Sequence, residues 1–273
     1  MRSAHRVGAR TILNPWESGV WYLTIGLTAA VLVRLSLDGL LKIYKLLYGY
    51  LALSLVTSLA ALTIPYRSNA YGYLYFSSET SRLVIAALVV VEIYSLALEN
   101  TPALARFGRN TVGYILAAAA IIPAIALLMD NSGSGTPYPY LRLFYLFEQT
   151  MNGTIAIFLL LISLFMAWFP VRLRRNVIAY IGGFIVWTLT RSASAHFANE
   201  FPKNVLANRT INSVSMCVAV GCLIFWLVVL KREGEARTAV VGHLWNRAEA
   251  ERLTQQLDAI NNGLTRLRRG REN

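Results

Sequence analysis

Apolar residues in this chain fall in long continuous runs, unlike the alternating pattern of a half-buried strand or the single stripe of a soluble helix. Seven runs, at about 18–37, 46–64, 73–98, 111–129, 142–169, 177–198 and 210–231, approach or exceed the length needed to cross a bilayer. A helix requires about 20 residues to span roughly 30 Å of hydrocarbon. The pattern therefore predicts an all-α fold, a polytopic membrane bundle of seven transmembrane helices. Its predicted organisation is an extracytoplasmic segment over 1–17, a transmembrane domain over 18–231 and a basic cytoplasmic tail over 232–273 that carries a helix at about 244–269. Within the fourth run, Pro123 beside the alanines at 117–120 predicts a kinked and closely packed helix.

The polar connectors orient this bundle. DGLLKIYK (38–45), ENTPALARFGRN (99–110) and PVRLRRN (170–176) are short and basic, whereas the connectors at 130–141 and 199–209 are turn-rich and contain acids. Lysine and arginine concentrate on the cytoplasmic side, so the N-terminus is predicted outside and the C-terminus inside. Arg2, Arg6 and Arg10 oppose that orientation, and Lys231, Arg232, Arg237 and Arg247 restore it. The opening segment has no apolar core of its own, so no cleaved signal peptide is expected.

Composition changes the picture in one respect. A net charge of +12 in a soluble protein would point to nucleic acid, but with 56% hydrophobic and 15% charged residues the basic groups mark span ends that meet lipid headgroups. The expected partner is the bilayer, with no nucleic acid. Cys217 and Cys222 lie five residues apart on one predicted helix, which argues against a mutual disulfide, and both read as small buried hydrophobes.

Charges inside predicted spans carry the functional question. An ionised side chain at the bilayer centre costs about 2.5–3.5 kcal/mol even on insertion scales, so such residues face a bundle interior and find partners. The third run holds Glu79, Arg82 and Glu92, the fifth Glu148 and Asn152, and the sixth Arg191 and His196, while INSVS (211–215) opens the seventh. With the N-terminus outside, most of these lie in the outer half of their helices, with Glu92 nearer the middle or inner half. They predict an outward-facing polar cavity among helices 3, 5, 6 and 7, with Glu79, Arg82, Glu92, Glu148, Asn152, Arg191 and His196 as ligand-binding candidates. The competing expectation is that these groups are interhelical pairs that fix packing.

Several chemistries are argued against. A retinal Schiff base needs a lysine within the last span, and TINSVSMCVAVGCLIFWLVVLKR has none before Lys231. Bis-histidine haem needs two facing ligands, and His196 is the lone histidine in any predicted span. HExxH, GxSxG, glycine-rich phosphate loops and metal-spaced Cys/His clusters are absent from the sequence. No cofactor and no metal site are expected, and a non-enzymatic role is favoured over an intramembrane enzyme or a small-solute transporter.

In the tail, Leu253, Leu257, Ile260, Leu264 and Leu267 recur at spacings of four, three, four and three, the a/d seam of a coiled coil. Parallel homodimerisation is predicted. The same stripe also fits a helix lying on the inner membrane surface, with Arg252, Arg266 and Arg268 toward anionic lipid, or docking onto another protein.

The entry YGYLYFSSE (71–79), EIY at 92–94, the connector PALARFGR (102–109) and the tail HLWNRAEAERLTQQLDAINNGL (243–264) together resemble a group of uncharacterised bacterial seven-helix inner-membrane proteins. The resemblance implies the architecture and a bacterial cytoplasmic membrane, and no activity. The layout is also similar to the seven-helix sensory modules that precede kinase or cyclase domains, here without an output domain. A membrane receptor or signalling and assembly component is the expectation, with a structural subunit of a membrane complex as the alternative.

Overall fold

In hydrocarbon no water is available to bond free N–H and C=O groups, so an apolar segment of this length satisfies its backbone by forming a helix. The computed structural model describes residues 15–65, 68–99, 110–119, 139–168, 171–201, 204–236 and 238–241, isolated positions at 108, 121 and 125, and short helical pieces between 251 and 263. In chain order these form α1 (Pro15–Leu37), a 3₁₀ turn (Leu40–Lys42), α2 (Lys45–Thr63), α3 (Asn69–Ala97), α4 (Asn110–Ala119), α5 (Pro139–Trp168), β1 (Val171–Arg174), α6 (Arg175–Glu200), α7 (Val205–Val229), α8 (Arg232–Ala236) and β2 (Thr238–Val241). Among the described residues six helices, α1, α2, α3, α5, α6 and α7, are long and apolar enough to cross a membrane. The fourth predicted span is represented by α4, and Pro123 lies outside the described residues.

Helix ends and hydroxyls are satisfied locally. Ser68 Oγ accepts from the Tyr71 N–H at 3.2 Å and Asn204 Oδ1 accepts from the Ala207 N–H at 3.0 Å, each capping the first turn of its helix. Inside the spans Thr24, Thr28, Ser36 and Ser163 donate to the carbonyl four residues earlier, so their hydroxyls enter the bundle without an unpaired donor.

Cross-helix contacts fix the direction of each helix. Arg209 at the start of α7 bonds Glu17 at the start of α1, while Arg34 near the end of α1 donates to the Leu227 carbonyl near the end of α7, so these two helices run parallel. Likewise Tyr75 and Phe76 of α3 pack on Phe144 of α5. The odd-numbered helices thus begin at one end of the bundle, the entry end, and finish at the other, the exit end. α4 runs back toward the entry end: Gly108 sits against Tyr94 and Leu98 of α3, and Ala119 packs with Leu83 and Met151.

Among the described residues the exit end holds the one departure from an all-helical chain. β1 pairs antiparallel with β2, Val171 opposite Val241 and Arg174 opposite Thr238, so the connector before α6 is joined to the segment that follows α7. β-branched residues in both stretches suit that pairing.

Packing between α6 and α7 centres on aromatic rings. Tyr44, Tyr180 and Phe184 follow one another edge to face, Phe184 stacks near Trp226, and Trp187 donates its indole N–H to the Tyr50 hydroxyl at 2.8 Å. Trp226 is fully buried and lies flat against Gly183, where an added Cβ would meet its Nε1 at 2.3 Å and Cε2 at 2.8 Å. In lipid, such close packing and interhelical hydrogen bonding hold helices together, because acyl chains are as apolar as leucine. Outward-facing Val33, Leu160, Leu164 and Val228 accordingly lie where acyl chains would meet them.

Gly182 and Gly183 separate these effects. Alanine at either position gains up to about 1 kcal/mol of helix propensity, but at Gly183 it overpacks against Trp226 at a cost of about 1–3 kcal/mol. Thermal unfolding in detergent should therefore show Gly183→Ala destabilised and Gly182→Ala unchanged or stabilised. Equal melting temperatures for the two variants would overturn the Gly183–Trp226 contact.

Candidate functional site

Two polar clusters lie inside the bundle. Toward the entry end, Arg191 of α6 stands between Glu79 of α3 and Glu148 of α5: its Nη2 bonds Glu79 Oε2 at 2.7 Å and also Glu148 Oε1. Arg82, one turn beyond Glu79, donates through Nη1 to Glu79 Oε1 at 2.6 Å and through Nη2 to Thr57 Oγ1 of α2. Four helices meet at two carboxylates and two guanidiniums, and their formal charges cancel. Glu79 and Glu148 are only 7% and 3% exposed, so each depends on its cation in place of water. Arg191 keeps 34% of its side chain exposed, and Arg82 Nε is buried with no hydrogen-bond partner among the described residues.

Five of the seven candidate positions gather here. Glu79, Arg82, Glu148 and Arg191 form the ion cluster, and buried Asn152 lies one turn from Glu148, donating to its backbone carbonyl at 3.0 Å. His196 is exposed on α6, with Nδ1 3.1 Å from Gln149 Nε2, outside the ion pairs. Glu92 does not join them. It lies thirteen residues along α3 from Glu79, about 20 Å at 1.5 Å per residue, where its carboxylate accepts from the Leu46 N–H at 3.1 Å and the Tyr180 hydroxyl at 3.2 Å. The sequence grouped Glu92 with Glu79 as charges of one span while placing it nearer the middle or inner half, and the helix length separates them. Helix 7 contributes Ser215, bonded to Ser194 of α6. Cys222 is buried as expected, whereas Cys217 is exposed on the outer face of α7.

The second cluster, at the exit end, is built around Glu235 of α8, a residue the sequence reading passed over. Glu235 Oε1 accepts from the Tyr44 hydroxyl at 2.6 Å and from Asn176 Nδ2 at 2.6 Å, and its Oε2 pairs with Arg174 Nη1 at 3.2 Å. Arg174 also pairs with Glu99 at 2.6 Å. Asn176, fully buried, donates to the Lys231 carbonyl at 2.8 Å, and an added Cβ on Gly234 would stand 2.1 Å from its Oδ1. Burial, then the bond to Glu235, raise the Tyr44 pKa well above the ordinary tyrosine value, so Tyr44 stays a donor at neutral pH. One sequence signal pointed here: an acid pair, EGE at 233–235, directly after the basic end of the last span.

Among the described residues no three His, Cys, Asp or Glu side chains gather where they could hold a metal ion. Of the tail seam, Leu253 and Ile260 are helical and Ile260 is exposed, while Leu257, Leu264 and Leu267 lie outside the described residues.

Helices of spanning length, with charges turned inward and paired, define the class: this is an α-helical integral membrane protein. No protein-family model, curated protein or solved structure matches the chain.

Removing one member of a buried ion pair costs about 3–5 kcal/mol when its partner is left charged and dry. Arg191→Leu should be the most destabilised of the cluster variants in detergent melts, since it strands Glu148 and leaves Glu79 with Arg82 alone. Glu148→Gln, which keeps an acceptor for Arg191, should lose less, and His196→Ala should melt like the parent protein. An unaltered melt for Arg191→Leu would show that solvent reaches the cluster.

Proposed function

We propose that this protein is a non-enzymatic membrane receptor or signalling component of seven spans, with its entry end outside and its exit end and tail in the cytoplasm. α4 supports the seventh crossing, since it runs from the exit end back toward the entry end between two parallel helices. Lys42, Lys45, Arg175, Lys231 and Arg232 at the exit end support the orientation.

The observation that carries the signalling reading is that α6 holds a member of both polar clusters. α6 bears Arg191 in the entry cluster and Asn176 in the exit cluster, and between them Tyr180 donates to Glu92 of α3. From Asn176 to Arg191 is fifteen residues, about 22 Å of continuous helix. A ligand that drew Arg191 or Arg82 from its carboxylates would shift α6 against α3, and α6 grips α8 at the other end through Asn176 and Glu235. Arg82 Nε offers a buried donor to an incoming acceptor atom. The tail seam of Leu253, Leu257, Ile260, Leu264 and Leu267 then supplies the means to pair two chains or to engage a partner.

The charge balance of the entry cluster favours a second reading, a structural subunit in which the pairs only fix packing. Hydrogen exchange on the folded Glu148→Gln variant distinguishes the two. Coupled clusters predict faster exchange in 171–174 and 232–241 than in the parent protein, and packing alone predicts a change confined to the neighbours of residue 148. Gly234→Ala, which drives a methyl group into Asn176, gives the reciprocal test: its effect should reach the entry halves of α3 and α6.

A further inference from the structure

Between the end of α1 and α8 lies a cleft of about 540 Å³ at the exit end, bordered on one side by Glu235 of the second cluster. Its apolar wall is Leu37, Leu40 and Ile43, and its polar groups are Asp38, Arg232 and Glu235. The cleft opens where the spans α1 and α7 finish, which is the depth of lipid headgroups. Leu37 at its edge is 82% exposed, an apolar side chain positioned to run beside an acyl chain.

The three charges are not equivalent. Glu235 is taken up by Tyr44, Asn176 and Arg174. Arg232 is exposed and has no acceptor among the described residues, and Asp38 accepts no hydrogen bond there, its one ion pair being Arg34 at 3.6 Å. A cation open to a phosphate and a carboxylate that, beyond its 3.6 Å pair with Arg34, accepts no hydrogen bond among the described residues and can take an ammonium therefore flank one apolar wall. Gly39, with φ of 70°, makes the tight turn that brings Asp38 and Leu40 to the same cleft.

We propose that this cleft binds the headgroup of a zwitterionic aminophospholipid, with the phosphate on Arg232, the primary ammonium on Asp38 and the first acyl methylenes along Leu37 and Ile43. An anionic lipid lacking an amine matches Arg232 but meets two carboxylates, and a quaternary ammonium cannot donate hydrogen bonds to Asp38. Headgroup selectivity follows from the arrangement and does not depend on the signalling reading.

The test is native mass spectrometry of the full chain in mild detergent with equal amounts of phosphatidylethanolamine, phosphatidylcholine and phosphatidylglycerol. Phosphatidylethanolamine should be retained about tenfold over the others, the equivalent of one charge-assisted hydrogen bond. Asp38→Asn should abolish the preference over phosphatidylcholine. Arg232→Gln, at an exposed position with no bond to lose, should lower retention of phosphatidylethanolamine without altering the melt. Equal retention of the three lipids, preference for phosphatidylglycerol, or an Arg232→Gln profile identical to the parent's would overturn the proposal.

Discussion

Arg191 between Glu79 and Glu148 is the contact on which the arrangement of this bundle rests. Two carboxylates that far from water can stay ionised only with a cation in contact, and Arg191 reaches both from a third helix. α3, α5 and α6 therefore have one mutual depth at which all three charges are satisfied. Sliding any of them by a single turn, about 5.4 Å, would strand a charge in the interior. Apolar packing alone is more permissive, because leucine against leucine and leucine against an acyl chain are nearly equivalent. Arg82 extends the same constraint to α2 through Thr57.

The exit end is held by a different device. There the polar groups sit near the membrane boundary, and neutral donors dominate: Tyr44 and Asn176 join Arg174 around Glu235. The result ties α8 and β2, which follow the last long helix, to the connector ahead of α6. Gly234 is required at that point, since its Cα approaches the Asn176 amide more closely than any Cβ would allow. The two clusters differ in what a perturbation does: ion pairs in the interior resist separation, whereas hydrogen bonds near the boundary exchange readily with water.

Much of this was readable from the sequence because lipid imposes rules that act on short windows. Length and hydropathy located the six long helices to within a few residues, and the charges at 79, 82, 148 and 191 announced their convergence because none has another way to be stable in hydrocarbon. What escaped reading were contacts set by separation in space. Glu92 shares a helix with Glu79, and only the course of α2 and α6 shows that it meets Leu46 and Tyr180 instead. The pairing of 171–174 with 238–241 joins segments about 65 residues apart, neither marked by a turn or an alternation long enough to announce a strand. Glu235 read as one more charge in a polar segment because its partners, Tyr44 and Asn176, come from distant connectors.

The parallel course of α3 and α5 has a consequence for how the two ends communicate. Both begin beside the entry cluster and finish at the exit end, so the chain between them must return the length of the bundle, and α4 begins that return. The charge cluster and the segment that follows α7 thus lie at opposite ends of the bundle. Any influence of one on the other has to travel as rigid displacement or rotation of a helix that touches both. Among the described residues α6 holds bonded members of each cluster, gripped at Arg191 by ions and at Asn176 by an amide. A small axial shift of α6 is resisted strongly at the first point and weakly at the second, so motion started among the ions would be expressed at the hydrogen bonds around Glu235.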